Sequence, residues 1–177
     1  MRFLPTELPG VYIIEPQPCH DERGFFARTW CRDEFAAHGL NTEWVQCNVS
    51  FNRKAGTLRG LHWQQAPYQE VKLVRCTAGA VYDVVLDLRP QSPTFRRWLA
   101  VELTADNHRA VYIPEGCAHG FQTLVDDTEL HYHMGTRYHP EAARGVRWDD
   151  PAFGIVWPPC ESRTIAPRDR SFPDFTL

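Results

Sequence analysis

Val71-Lys72-Leu73-Val74-Arg75-Cys76-Thr77-Ala78-Gly79-Ala80-Val81-Tyr82-Asp83-Val84-Val85-Leu86-Asp87-Leu88 is a pair of β-prone runs joined by an Ala-Gly turn. Alternate residues of a strand point to opposite faces. In residues 81–89 the even positions, Tyr82, Val84, Leu86 and Leu88, are apolar, while the odd ones include Asp83, Asp87 and Arg89. One face is expected to pack and the other to be polar, as in a sheet laid on a core. The alternation recurs in residues 129–134, where Leu130, Tyr132 and Met134 share the inward face and Glu129, His131 and His133 the outward one.

Short β-rich segments separated by turn signals continue on both sides of this pair. Residues 44–51 and 57–64 flank Ala55-Gly56 upstream, and residues 98–103, 109–113 and 120–124 follow downstream. Many short strands at such spacing predict an all-β fold, a jelly-roll barrel or sandwich. Pro5, Pro9, Pro16 and Pro18 exclude a long helix near the start and leave residues 10–15 as a short strand. Asp21-Glu22-Arg23-Gly24 has turn composition and opens into a β-prone run over residues 25–30. One helix is expected over residues 33–38, with acids in its first turn and Gly39 as its stop. Residues 157–177 carry prolines and are expected to wrap the body as ordered coil. No repeat or linker interrupts the pattern, so residues 1–177 are expected to form a single domain.

Composition narrows the function. With 43% hydrophobic and 23% charged residues the chain is neither disordered nor membrane-embedded, and no apolar run approaches the roughly 20 residues that span a bilayer. A net charge of −3 lacks the basic face that counterion release requires, so nucleic acid is not an expected partner. Six scattered cysteines, without a C-x-x-C pair and without a secretory leader before Met1-Arg2-Phe3-Leu4-Pro5, are expected to be reduced thiols of a cytoplasmic protein.

The densest chemistry is Arg59-Gly60-Leu61-His62-Trp63-Gln64, followed by Lys72. His131-x-His133 has a metal-ligand spacing, and a barrel interior can join His62 to His119. Parity, however, sends His131 and His133 outward, and Gln64-Gln65 stands where a metal-binding barrel strand would carry another histidine or a glutamate. No metal and no cofactor is expected. Histidine, with an unperturbed pKa of about 6.5, is the side chain best suited to removing a proton near neutrality, which makes His62 the candidate base. Lys72 offers a point charge for an oxyanion, and Tyr132 offers a proton from another direction. Arg23 and Arg59 each adjoin a glycine, which lets backbone and guanidinium approach a phosphate. No P-loop, G-x-G-x-x-G or G-x-S-x-G is present.

Taken in order, Asp21-Glu22-Arg23-Gly24-Phe25-Phe26, Gln46-Cys47-Asn48-Val49-Ser50, Leu58-Arg59-Gly60-Leu61-His62-Trp63-Gln64, Asp83 to Arg89 with Ser92-Pro93-Thr94, Ile113-Pro114-Glu115-Gly116-Cys117-Ala118-His119-Gly120-Phe121 and Trp148-Asp149-Asp150-Pro151 resemble the dTDP-4-dehydrorhamnose 3,5-epimerase family. The resemblance covers nearly the whole chain. It implies a cupin-type jelly roll with one or two short helices, usually a homodimer in which an N-terminal strand of one subunit completes the site of the other. It also implies a metal-free reaction on a nucleotide-diphosphate 4-keto-6-deoxyhexose, inverting C3 and C5 through an enolate.

By position, the resemblance makes His62 the base, Asp169 within Pro167-Arg168-Asp169 its orienting carboxylate, and Lys72 the cation beside the C4 oxygen. Tyr132, eight residues before Pro140, becomes the acid. Substrate-binding roles fall to Arg23, Phe26, Gln46, Asn48, Arg59, His119, Tyr138 and Arg168, with Asp83 as partner of His119. Ala27-Arg28 stands where thymidine-specific members often carry an aromatic and a glutamate, which leaves CDP- and GDP-linked sugars as alternatives. Inversion of a single centre, a non-catalytic sugar-nucleotide-binding cupin and a metal-dependent cupin are further alternatives. A geometric puzzle accompanies the assignment: Arg59 and His62 are three apart and on a regular strand face opposite sides, so a single ligand reaches both only if Gly60 bends the strand or the ligand passes around its edge.

Overall fold

The computed structural model describes residues 1–176 and is built mostly of short strands. In chain order these are β1 (Arg2–Pro5), β2 (Tyr12–Glu15), β3 (Cys19–Asp21) and β4 (Gly24–Phe26), helix α1 (Arg32–Ala37), then β5 (Gln46–Asn52), β6 (Thr57–Gln64), β7 (Lys72–Ala78), β8 (Ala80–Asp87), β9 (Trp98–Thr104), β10 (Ala110–Ile113), β11 (Cys117–Thr123), β12 (Thr128–Met134), β13 (Ala143–Gly145), β14 (Thr164–Ile165) and helix α2 (Pro167–Arg170). The first sheet runs β1-β2-β10-β7-β12-β5, and the second runs β13-β6-β11-β8-β9 with β14 parallel to the start of β6. Consecutive strands β7 and β8 turn at Gly79 (φ +74°) and enter different sheets, which is how a jelly roll closes. The architecture is the expected cupin-type jelly roll.

The sheets face each other across one apolar layer. Val74, Cys76, Val111, Ile113 and Leu130 come from the first, and Val81, Val85, Leu103, Cys117 and Phe121 from the second, all buried. Burying each such side chain stabilises the fold by about 1.5–3 kcal/mol. A second layer lies outside the second sheet, where Phe153, Trp157 and Ile165 of the C-terminal region cover Leu58, Leu61, Val84 and Leu86. On the outer side of the first sheet, Phe35 of α1 packs on Ile14, Leu73 and Tyr112.

Strand β8 is apolar on its even positions and polar on several odd ones, as parity indicated, and both sides are covered: the even positions lie under the C-terminal wrap, and the odd positions point into the barrel, where Asp83 and Asp87 are fully buried. Asp87 is satisfied there by Arg89 Nε and Nη2, each 2.8 Å away, and by the Ser92 and Thr94 hydroxyls at 2.6 and 2.7 Å. The strand expected over residues 25–30 stops at Phe26, since among the described residues β4 pairs with β3 alone and the chain then turns toward α1. Helix α1 lies within one residue of its expected span. The C-terminal wrap holds β14 and α2 in addition to coil. Among the described residues no helix is long and apolar enough to cross a membrane.

Candidate active site

Strand β6 positions the site through an irregularity. His62 lies opposite His119 on β11, whereas Arg59 lies opposite Phe121, so three steps on β6 match two on β11. The extra residue is a bulge, and it returns Arg59 and His62 to the same side of the sheet. Gly60 makes this possible with φ +126°, and a Cβ there would meet Gly120 Cα at 2.5 Å and the His119 carbonyl at 2.9 Å. Gly120 is equally confined, with a Cβ falling 2.8 Å from the Arg59 carbonyl oxygen. The parity puzzle is thereby resolved: Arg59 and His62 line one cavity of about 340 Å³ inside the barrel mouth.

His62 enters the cavity half-exposed and is bound from behind by Asp169, with Nε2 2.7 Å from Oδ1. Asp169 is placed by α2, whose first residue is Pro167, a favoured N1 residue, and its backbone N–H donates to the Ala166 carbonyl. Its second oxygen accepts the Gly60 N–H at 3.2 Å. Burial alone would raise this carboxyl, but the His62 hydrogen bond and charge, the Gly60 N–H and Arg168 outweigh it and hold the group below the usual carboxylate range. A carboxylate on Nε2 makes that nitrogen the protonated one and leaves Nδ1 as the nitrogen that takes a proton.

Tyr132 reaches the cavity from the first sheet, on the inward parity of β12. Its ring keeps contact with the cavity space, yet protein surrounds it. Desolvation pushes the hydroxyl far above the ordinary tyrosine value and Asp83 adds to this, against the opposing influence of Arg59 and a hydrogen bond with Ser50. Lys72 is buried on β7 and forms an ion pair with Glu70. His119 is buried with Nε2 2.8 Å from Asp83 Oδ2.

The cavity mouth is polar and cationic. Arg59 Nε donates to Asn52 Oδ1 at 2.8 Å, and Arg168 lies 5.9 Å from the Phe172 ring centroid. Asn48 and Tyr138 line the same cavity, and Gln46 ties them together, with Nε2 donating to Asn48 Oδ1 at 3.4 Å and Oε1 accepting the Tyr138 N–H at 3.4 Å. Gln64 is a clip: Nε2 donates to the Tyr68 and Arg137 carbonyls at 2.9 and 3.1 Å, while Oε1 accepts the His139 N–H at 2.6 Å. His131 and His133 lie on the outer face of the first sheet, rings 4.9 Å apart, as parity indicated.

Two sequence-derived site residues are not brought to the cavity within one chain. Arg23 belongs to the β3–β4 hairpin, where its side chain is 84% exposed and ion-paired with Asp21 at 2.6 Å, and Phe26 on the same hairpin is 80% exposed. Conversely, Glu70, Ser50 and Arg144 line the cavity without having been singled out from sequence. Glu70 had a readable signal, since it precedes Lys72 by two and so shares its inward parity.

Fold and cavity together define a class, the cupin-type isomerases, in which a barrel interior presents acid–base side chains and an arginine-bearing mouth. The family model described as dTDP-4-dehydrorhamnose 3,5-epimerase matches residues 5–176. A dTDP-4-dehydrorhamnose 3,5-epimerase of Shigella flexneri is 46% identical over 159 residues, 89% of this chain and 87% of its own. The crystal structure of the Bacillus anthracis dTDP-4-dehydrorhamnose 3,5-epimerase with TDP and PPi bound superposes with a TM-score of 0.94 at 38% identity, covering 98% of this chain and 99% of that one. The Legionella pneumophila dTDP-6-deoxy-D-glucose-3,5-epimerase, in complex with dTDP-4-keto-L-rhamnose, gives 0.89 at 37% identity over 95% and 89% of the two chains. The chain belongs to the dTDP-4-dehydrorhamnose 3,5-epimerase family and is an epimerase of nucleotide-linked 4-keto-6-deoxyhexoses.

Proposed function

We propose that the cavity inverts C3, C5 or both of a dTDP-4-keto-6-deoxyhexose through an enolate, with His62 as base and Tyr132 as acid. The observation that carries this reading is that the two approach from opposite sheets, His62 on β6 and Tyr132 on β12, across one cavity. The C4 ketone acidifies the neighbouring C–H bonds. His62 Nδ1 takes the proton, the electron pair moves to the C4 oxygen beside Lys72, and Tyr132 delivers a proton to the other face of the carbon. The centre is inverted, and both side chains are reset by exchange with solvent. An ammonium held in place by the protein stabilises the enolate more than bulk water does, and the raised Tyr132 value keeps that donor protonated.

Arg59 and Arg168 at the mouth suit a diphosphate, while Gln46, Asn48, Tyr138 and His119 suit the sugar and nucleotide. Arg23 and Phe26 join them in a homodimer, where the exposed hairpin of one subunit completes the cavity of its partner. That reading is supported by a hairpin paired only with itself in the single chain and by exposed Val49 and Phe51 on edge strand β5. Arg28 is engaged by Glu34 at 2.8 Å, and the TDP-bound relative favours the thymidine nucleotide over CDP or GDP. Residues 1–177 act as one epimerase domain, supported by an apolar layer shared between the sheets. A cytoplasmic location is supported by free cysteines at all six positions.

The test is incubation with dTDP-4-keto-6-deoxyglucose in deuterium oxide, with CDP and GDP forms in parallel. Deuterium is expected at C3, C5 or both with the dTDP sugar, and His62→Ala is expected to abolish it while leaving the fold intact. Saturable binding without exchange would identify a non-catalytic sugar-nucleotide-binding protein, and full activity of His62→Ala would overturn the role of that residue.

A further inference from the structure

Of the chain's two lysines, Lys54 is on the surface and Lys72 is buried, its side chain 7% exposed. Glu70 is as deeply enclosed, at 8%, and is the only hydrogen-bond acceptor of Lys72 Nζ among the described residues. Both line the cavity. Along the inward face of β7 the residues after Lys72 are Val74 and Cys76, and facing it from β12 are Tyr132 and Met134, so no second carboxylate replaces Glu70 from these strands.

The backbone around Glu70 is fixed on both sides. The Gln69 carbonyl accepts the Thr136 hydroxyl at 2.7 Å, and the Val71 carbonyl accepts the Gly135 N–H at 2.9 Å. Gln64 holds the same loop through the Tyr68 carbonyl. The carboxylate is therefore presented by a braced segment, while Lys72 is a four-carbon chain with many rotamers of its own. An ammonium enclosed among apolar groups without a counter-charge is costly and tends to give up its proton or swing to another acceptor.

We propose that Glu70 is a positioning residue of the epimerisation. Its carboxylate holds the Lys72 side chain aimed into the cavity, so that the cation is already in place when negative charge develops on the C4 oxygen. This rests on the reading that Lys72 neighbours that oxygen. A pair serving the core alone has no need to open onto the cavity, and this one does.

Four variants test it by steady-state kinetics and dTDP titration: Lys72→Gln, Glu70→Gln, the double variant, and Glu70→Asp. Glu70→Gln is expected to lower kcat about tenfold or more, with KM and dTDP affinity changed less than about twofold. Because Glu70 acts through Lys72, the double variant should be no slower than Lys72→Gln, and Glu70→Asp should recover part of the loss. Multiplicative losses in the double variant, or wild-type kcat in Glu70→Gln, overturn the proposal. If Glu70→Gln fails to fold, Glu70→Asp decides: wild-type kcat there marks a merely structural charge, and a reduced kcat at unchanged KM supports positioning. Undiminished kcat in Lys72→Gln removes the reading of Lys72 itself, whereas a loss there without loss in the Glu70 variants removes only the present inference.

Discussion

Asp169 is 5% exposed, and its two oxygens hold two groups of the site, the His62 ring and the Gly60 N–H. Its carboxyl is depressed despite burial, so it is an anion at neutral pH and locks the proton on His62 Nε2. Asparagine keeps the size but loses the charge and can present its amide nitrogen to the ring, reversing the tautomer. Asp169→Asn is therefore expected to lower kcat by about a hundredfold or more with little change in KM. The linkage has a definite sign. A carboxyl lower in the folded state than unfolded contributes stability above its unfolded value of about 3.9, and that contribution is lost as pH falls toward the folded value. Urea melts of wild type and Asp169→Asn should differ at pH 7, and the gap should begin to narrow only below about pH 4 and close as pH falls through the lower folded value.

Strand β6 shows what an element adds to its residues. The bulge needs two glycines back to back, because the Gly60 and Gly120 backbones approach too closely for a side chain on either. Gly60→Ala combines a φ of +126° with a Cβ 2.5 Å from Gly120 Cα, and is expected to cost about 3 kcal/mol, or roughly 10 °C in melting temperature. Activity should fall further than stability, since restoring a regular strand turns either Arg59 or His62 out of the cavity. Thermal melts beside kinetics check this, and an active, fully stable Gly60→Ala would refute it. The span of β6 was legible from Thr57 to Gln64 because β-propensity and flanking turns are local signals. A bend at Gly60 was one of two ways the residues left for Arg59 and His62 to meet; choosing between them was not possible locally, because the bulge depends on a β11 neighbour some 60 residues away. The inward polar face of β8 was legible from parity and from the resemblance that paired Asp83 with His119, whereas the cover over its even positions was not, because it comes from residues far along the chain. Tyr132, by contrast, was assigned to the correct face from parity alone, while Gln64 gave no local hint of its three-way clip.

At the scale of the molecule, the described chain brings His62, Lys72, Tyr132 and Asp169 to one place but leaves Arg23 and Phe26 on a hairpin that faces solvent. A two-stranded hairpin is marginal by itself in water, and an 80% exposed phenylalanine beside a solvent-facing arginine calls for a covering surface. If the hairpin completes a partner's cavity, each active site draws on two subunits, and defects on different subunits must complement. Arg23→Ala and His62→Ala homodimers should each be nearly inactive. Co-refolding them in equal amounts gives half heterodimers, each with one site that has both an intact barrel and an intact hairpin and one with neither. About a quarter of all sites should then be active, for a symmetric dimer with random pairing. Mixing without unfolding should restore activity only as fast as subunits exchange. Activity that stays at the sum of the two parents after co-refolding would place Arg23 outside the site, and retained activity of Arg23→Ala alone would do the same.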